Sequence, residues 1–231
     1  MSRKIVVALF VFPILLGACQ SEGGAPSLNT EDQKASYGIG IQIGSQLAPT
    51  DSFMDMDAFL AGLKDGMAGN DPAIPPEELQ TASQAFNQKV MEEQNRMMAE
   101  AAEKNALEGA AFLTENAARD GVVVTESGLQ YEVLREGEGE RPGPDQSVSI
   151  HYVGTLVDGT QFDSSYDRGE PATFGVSGVI QGFSEGLQLM AVGSQYKFFI
   201  PSEIGYGPGG QGQIGPNSTL IFEVELLEIV P

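Results

Sequence analysis

Residues 149–165 read SIHYVGTLVDGTQFDSS. Val148, Ile150 and Tyr152 fall on one face and Ser149, His151 and Val153 on the other, the period-two pattern of a half-buried strand. Asp158-Gly159 then supplies a hairpin turn, and the chain returns through Phe162 and Asp163. The stretch puts the single histidine of the protein beside a tyrosine. A lone strand histidine is more often a packing or hydrogen-bonding residue than a catalyst, so the hairpin is structural through His151. Tyr152, Phe162 and Asp163 remain to be explained.

Working outward, the chain beyond Gly121 keeps this character. VVVTESGLQYEVL (122–134), QSVSIHYVGTL (146–156), QYKFFIPSE (195–203) and STLIFEVELLEIV (218–230) are β-branched or aromatic runs bounded by Gly, Pro and Asp turns. Only GFSEGLQLM (182–190) between them reads as helix. The C-terminal 110 or so residues are therefore expected to form an antiparallel sheet wrapped on one short helix.

Upstream the pattern is helical, so the whole chain reads as α+β. Thr30 and Gln33 have the spacing of a capping box. YGIGIQIG (37–44) alternates like a strand, but Ala35, Ile39, Ile43 and Leu47 also keep a four-residue step, and helix is the reading taken. Asp57 to Met67 forms a second short helix, with Phe59, Leu60 and Leu63 on one face. After Pro75-Pro76 a run to about Arg119 has no proline and one glycine, with Leu79, Ala82, Phe86, Val90, Met97 and Ala101 at helical spacing. Such a helix is roughly 65 Å long. Its middle, residues 91–109, is polar around most of its circumference, which predicts a solvated stalk joining two domains.

The N-terminus reads as an export signal. Arg3 and Lys4 supply the positive region, Ile5 to Leu16 the apolar region, and Gly17-Ala18 the small pair before Cys19. LLGAC (15–19) resembles the bacterial lipobox, in which the signal is cut before a cysteine that then carries lipid. Residues 1–18 are thus the expected signal peptide, Cys19 the lipidation site, and 19–28, with SEGGAPS, a flexible tether. Acyl chains on Cys19 would hold the protein on a membrane surface. Gln20 after the cysteine, rather than aspartate, favours the outer membrane in the lipoprotein pattern.

Composition removes most other chemistry. A net charge of −20 argues against nucleic acid, whose phosphates such a surface repels. One cysteine and one histidine exclude an internal disulfide and a thiolate zinc site, and leave few metal or acid/base schemes. GFSEG (182–186) matches a nucleophile elbow, but that arrangement needs its histidine after the serine, and His151 precedes Ser184. GPGGQG (207–212) matches a phosphate-binding glycine motif, yet IGPNS follows where a helix should begin, so it is a loop.

What remains is aromatic. VSIHYVGTLVDGTQFDSSYDRGEPATF (148–174), GVIQGFSEGLQLMAVG (178–193), FFIPSEIGYG (198–207) and IGPNSTLIFEVELLEI (214–229) resemble, in order, the successive signatures of the FKBP-type peptidyl-prolyl isomerases. The N-terminal half is similar in layout to the helical dimerisation domain of the bacterial two-domain members, the macrophage infectivity potentiator group. The resemblance implies a dimerisation domain with stalk over residues 29–120 and an isomerase domain over 121–231. It implies catalytic roles for Tyr152, Asp163 and Tyr206, and a substrate pocket of Phe162, Phe174, Val179, Ile180, Phe183 and Phe222. Phe183 stands where the family usually has a tryptophan, and the loop from Pro208 to Asn217 is glycine-rich rather than aliphatic.

The implied protein is a prolyl isomerase without cofactor or metal. It would be lipid-anchored on the periplasmic side of the outer membrane, homodimeric through its N-terminal helices, and would act on proline-containing unfolded or exported polypeptides. A rival reading is a non-catalytic holdase chaperone or surface binding module on the same fold.

Overall fold

The computed structural model describes residues 27–230. The signal segment, Cys19 and most of the tether lie outside the described residues. The chain divides into two compact units, one ending at Met54 and one beginning at Asp55.

In the first unit helix α1 (Glu31–Leu47) starts at Thr30. The capping box is reciprocal: Gln33 N–H donates to Thr30 Oγ1 at 3.2 Å, and Thr30 N–H donates to Gln33 Oε1 at 3.1 Å. Two orphan amides of the first turn are thereby satisfied, and YGIGIQIG is helical as expected. The helix buries none of its residues in this chain, and Ile39 and Ile43 stand exposed.

The second unit opens with α2 (Met56–Ala68), capped by Asp55 and closed by Gly69 in the left-handed region at φ 69. Helix α3 (Pro76–Ala117) runs 42 residues from a proline at its first position. Along its length only Gly109 and Asn116 are buried. Its exposed middle carries Arg96 between Glu93 and Glu100 at i,i+3 and i,i+4 spacing.

The last turns of α3 are not solvated stalk. Phe112 meets Phe199 with ring centroids 5.9 Å apart. Asn116, 2% exposed, donates to Gln130 Oε1 at 2.8 Å, and Gln130 Nε2 returns a bond to Leu113 O at 2.9 Å. Beyond them the strands β1 (Val122–Val124), β2 (Gln130–Arg135), β3 (Ser147–Leu156), β4 (Gln161–Ser164), β5 (Ala172–Gly175), β6 (Gln195–Ile200) and β7 (Leu220–Val230) build one antiparallel sheet. Its order is β1-β2-β6-β7-β3-β4, with β5 also paired to β3.

Helix α5 (Gln181–Leu189) packs on this sheet as expected. Gly186 lies where a Cβ would stand 2.6 Å from the Phe198 ring, so glycine sets the closeness of helix to sheet. Leu129, Val148, Ile150, Leu187, Phe198, Ile200 and Leu226 are fully buried between them. Some short elements are additional, among them β5 and, after β4, a single turn, α4 (Ser165–Arg168), capped by Ser164. Four residues are too few for a hydrophobic period, so the pattern that revealed α5 could not reveal this turn.

Candidate active site

The cavity lies over the face of the sheet that α5 covers, at the helix's first turn. It measures about 800 Å³ and gathers all nine pocket residues named from the sequence. β3 contributes Tyr152, β4 contributes Phe162 and Asp163, β5 contributes Phe174, and β7 contributes Phe222. Val179 and Ile180 come from the segment entering α5, Phe183 from its first turn, and Tyr206 from the loop after β6.

The rings pack edge to face, the arrangement their quadrupoles favour. Phe183 and Phe222 are 4.8 Å apart at 71°, and Phe162 meets Phe222 at 5.4 Å and 85°. Tyr152 meets Phe174 at 5.8 Å and Phe183 at 6.3 Å. Tyr152, Phe183 and Phe222 are buried, so these rings form a fixed floor and wall. Phe183 fills the floor where a tryptophan was expected from the resemblance. Gly154 makes the arrangement possible, because a Cβ there would stand 2.7 Å from the Phe162 ring and 2.8 Å from Phe222.

One edge is polar. Tyr152 donates its phenol proton to Asp163 Oδ2. Asp163 Oδ1 accepts from Arg168 Nη1 at 2.6 Å and from Ser164 N–H at 2.8 Å. Arg168 also donates to the Tyr152 hydroxyl at 2.9 Å, with its guanidinium 5.5 Å from the Tyr152 ring centroid. Burial opposes the charge on Asp163, but the bonds from Tyr152 and Arg168 outweigh it and hold the carboxyl below its ordinary range. Burial first, and the Asp163 bond second, push the Tyr152 phenol up. Burial and then the Asp163 charge do the same to Tyr206. Among the described residues the Tyr206 hydroxyl and the Ile180 N–H take no partner, and both residues line the cavity.

Sequence reasoning missed Arg168, which reads as an ordinary surface charge, and the rim residues Gly178 and Gln211 to Ile214. The glycine-rich loop thus contributes two glutamines and one isoleucine to the lip. His151 is off the cavity lining: its Nδ1 is 3.0 Å from Ser165 Oγ and its ring stacks on Tyr166 at 4.6 Å. Ser165 Oγ also accepts the Tyr152 N–H at 2.9 Å, so His151 supports the back of the strand. Ser184 sits in α5 beside Gln188, apart from any histidine.

Comparison with known proteins agrees with this geometry. Residues 32–133 match the model of the domain amino-terminal to FKBP-type peptidyl-prolyl isomerases, and residues 138–227 match that of the FKBP-type peptidyl-prolyl cis-trans isomerase itself. The outer membrane protein MIP of Legionella longbeachae is 37% identical over 230 residues, covering 99% of this chain and 98% of the relative. The FKBP-type 22 kDa peptidyl-prolyl cis-trans isomerase of Escherichia coli is 44% identical over 207 residues, covering 89% and 98%. The crystal structure of FkpA from Escherichia coli superimposes with a TM-score of 0.69 at 35% identity, over 89% of this chain and 99% of that one. With an aromatic cavity on an α+β sheet and family models accounting for both halves, the chain belongs to the FKBP-type peptidyl-prolyl cis-trans isomerases and is an isomerase of X-Pro bonds.

Proposed function

We propose that the cavity catalyses X-Pro rotation by seating the proline ring on Phe183 and Phe222, between Tyr152, Phe162 and Phe174. Unaided rotation has a barrier near ~20 kcal/mol. In the twisted transition state the amide nitrogen loses conjugation and charge separation falls, so an apolar, water-poor wall favours it over the planar amide. No bond breaks, and no proton relay or metal is required. The Ile180 N–H and the Tyr206 hydroxyl donate to carbonyls of the bound segment, with Val179 beside them. Asp163 is held by Tyr152, Arg168 and Ser164, so it acts by orienting that edge rather than by accepting a proton.

The observation that carries this reading is the convergence of the nine residues on one cavity, with two unpartnered donors at its edge. The relatives favour an enzyme over a non-catalytic holdase or binding module. Isomerisation of a proline tetrapeptide by the purified chain, compared with Tyr206→Phe, tests it. A hydroxyl bond to substrate is worth roughly 1.4 to 2.7 kcal/mol here, tenfold to a hundredfold in kcat/KM, with melting temperature unchanged.

The same proposal places the protein in the bacterial cell envelope, lipid-anchored through Cys19 on the periplasmic side of the outer membrane and acting on exported polypeptides. The lipobox-like LLGAC supports this, as does a relative named as an outer membrane protein. Residues 29–120 form the homodimer and stalk and residues 121–231 the isomerase domain. Exposed apolar residues on α1 (Ile39, Ile43), α2 (Leu60, Leu63) and α3 (Leu79, Met97) support a partner for these helices.

A further inference from the structure

The lip of the pocket is a tight turn. Gln211 N–H donates to Ile214 O at 2.8 Å and Ile214 N–H donates to Gln211 O at 2.9 Å. Gly210 lies so close that a Cβ there would stand 2.2 Å from the Ile214 carbonyl oxygen. Behind the turn, residues 215–219 run against α3. Asn105 of α3 donates its side-chain amide to Pro216 O at 2.8 Å and to Ser218 Oγ at 3.3 Å. Asn217 answers from the loop, its Nδ2 donating to Ala102 O at 3.3 Å. Its backbone N–H donates to Gly207 O at 2.9 Å, next to Tyr206. Asn217 holds φ 54, the left-handed region that asparagine tolerates better than most residues. One helical turn along, Gly109 approaches Thr219 so closely that a Cβ would lie 2.4 Å from its Oγ1.

We infer that Asn105 and Asn217 are positioning residues for the isomerase: by tying residues 215–219 to α3 they hold Tyr206 and the Gln211–Ile214 lip in their binding arrangement. This rests on the reading of the cavity as the isomerase site. Neither asparagine lines that cavity. The loop needs the tie because it is rich in glycine, with Gly207, Gly210 and Gly212 all at positive φ. Such a chain has a large conformational entropy to lose on ordering. Fixing its foot on a 42-residue helix removes much of that loss before a peptide arrives, so less of the binding energy is spent on it.

Two variants in the full-length chain test the tie. Asn217→Gly keeps the left-handed backbone accessible and deletes the bond to Ala102 while adding the backbone freedom of one more glycine, and Asn105→Leu removes the opposite amide at similar volume with the loop's own sequence unchanged. Each is expected to lower kcat/KM on a short X-Pro peptide about three- to tenfold. Each should also speed hydrogen exchange at the Gln211 and Ile214 amides, while the β3, β6 and β7 amides keep wild-type protection. Wild-type exchange at the lip, or wild-type turnover, in Asn217→Gly overturns the inference, and that variant decides alone if Asn105→Leu does not fold. A wild-type chain inactive on peptide would instead sink the assignment of the cavity, and the exchange measurement would still report on the tie.

Discussion

Tyr152 and Asp163 are joined by a hydrogen bond from phenol to carboxylate, across neighbouring strands β3 and β4. The bond leaves the phenol proton committed and the carboxylate ionised. Arg168 closes the set by contacting both residues. Chemically this edge is a scaffold, and its dependence on pH follows.

Asp163 has its folded pKa held below the ordinary carboxylate range. Its contribution is therefore complete above the unfolded value of about 4 and is lost only as pH falls through the lower folded value. Tyr152 and Tyr206 are both displaced upward, away from neutrality. The rate of peptide isomerisation is expected to be flat from about pH 5 to pH 9, and to decline below about pH 4. Asp163→Leu should cost roughly tenfold to a hundredfold in kcat/KM. The ion pair is half-exposed, with Asp163 at 43% and Arg168 at 44%, so the melting temperature should move little. A bell-shaped profile centred near neutrality would show that some group in the site does exchange protons during turnover.

Gly154 offers a probe that touches no polar group. Its Cβ would meet Phe162 at 2.7 Å and Phe222 at 2.8 Å, and Phe222 is itself wedged against Phe183. Gly154→Ala should therefore displace two pocket rings, at about 1 to 3 kcal/mol of stability for overpacking. Activity should fall together with melting temperature, the opposite of the Tyr206→Phe pattern, and kinetics beside a thermal melt separate the two.

How far each feature could be read from sequence depended on the range of the interactions behind it. The Thr30–Gln33 box and the proline start of α3 are set within four residues, and both appear as read. The strands announce themselves by alternation. The pocket was legible only through a family resemblance, because nothing local says that Tyr152, Phe174, Phe183 and Phe222 converge from four different elements. Arg168 and Gly154 matter through neighbours reached only after folding. The polar middle of α3 suggested a stalk, but Asn105 within it ties to the loop before β7, its partner Pro216 being 111 residues away, and the last turns pack on the sheet through Phe112 and Asn116.

At the pocket floor the Phe183 ring is 4.8 Å from Phe222 and 5.9 Å from Phe198. Phe183→Trp adds apolar surface toward a cavity of about 800 Å³. Each 40 Å² or so of extra contact is worth about 1 kcal/mol. Activity on a tetrapeptide should be kept or raised and a pocket ligand bound more tightly. A large loss in both would mean that the floor is already packed to its limit on the Phe198 side.

Membrane attachment has its own test. No described helix is long and apolar enough to cross a membrane. Cys19→Ser removes the proposed acyl acceptor and is expected to move the protein from the membrane to the soluble fraction. Unchanged fractionation would refute the anchor.

The division of labour between helices and sheet can be tested by where the chain is cut. Residues 29–120 are proposed to make the dimer and 121–231 the isomerase, so a fragment beginning at 121 should sediment as a monomer. That cut also discards Asn116, which is 2% exposed and bonded to Gln130, and Phe112, which packs on Phe199. It leaves the buried Gln130 amide without either partner, at a cost of about 1 to 3 kcal/mol. A fragment beginning near residue 99 retains both contacts and the tie from Asn105 to the lip. The longer fragment is expected to melt higher and to match the full chain on a short peptide, with the shorter one below it. Both should lose efficiency on an unfolded protein that two linked pockets would hold together. Sedimentation, melting and the two assays on the same pair of fragments decide this, and a short fragment that dimerises as tightly as the full chain would refute the division.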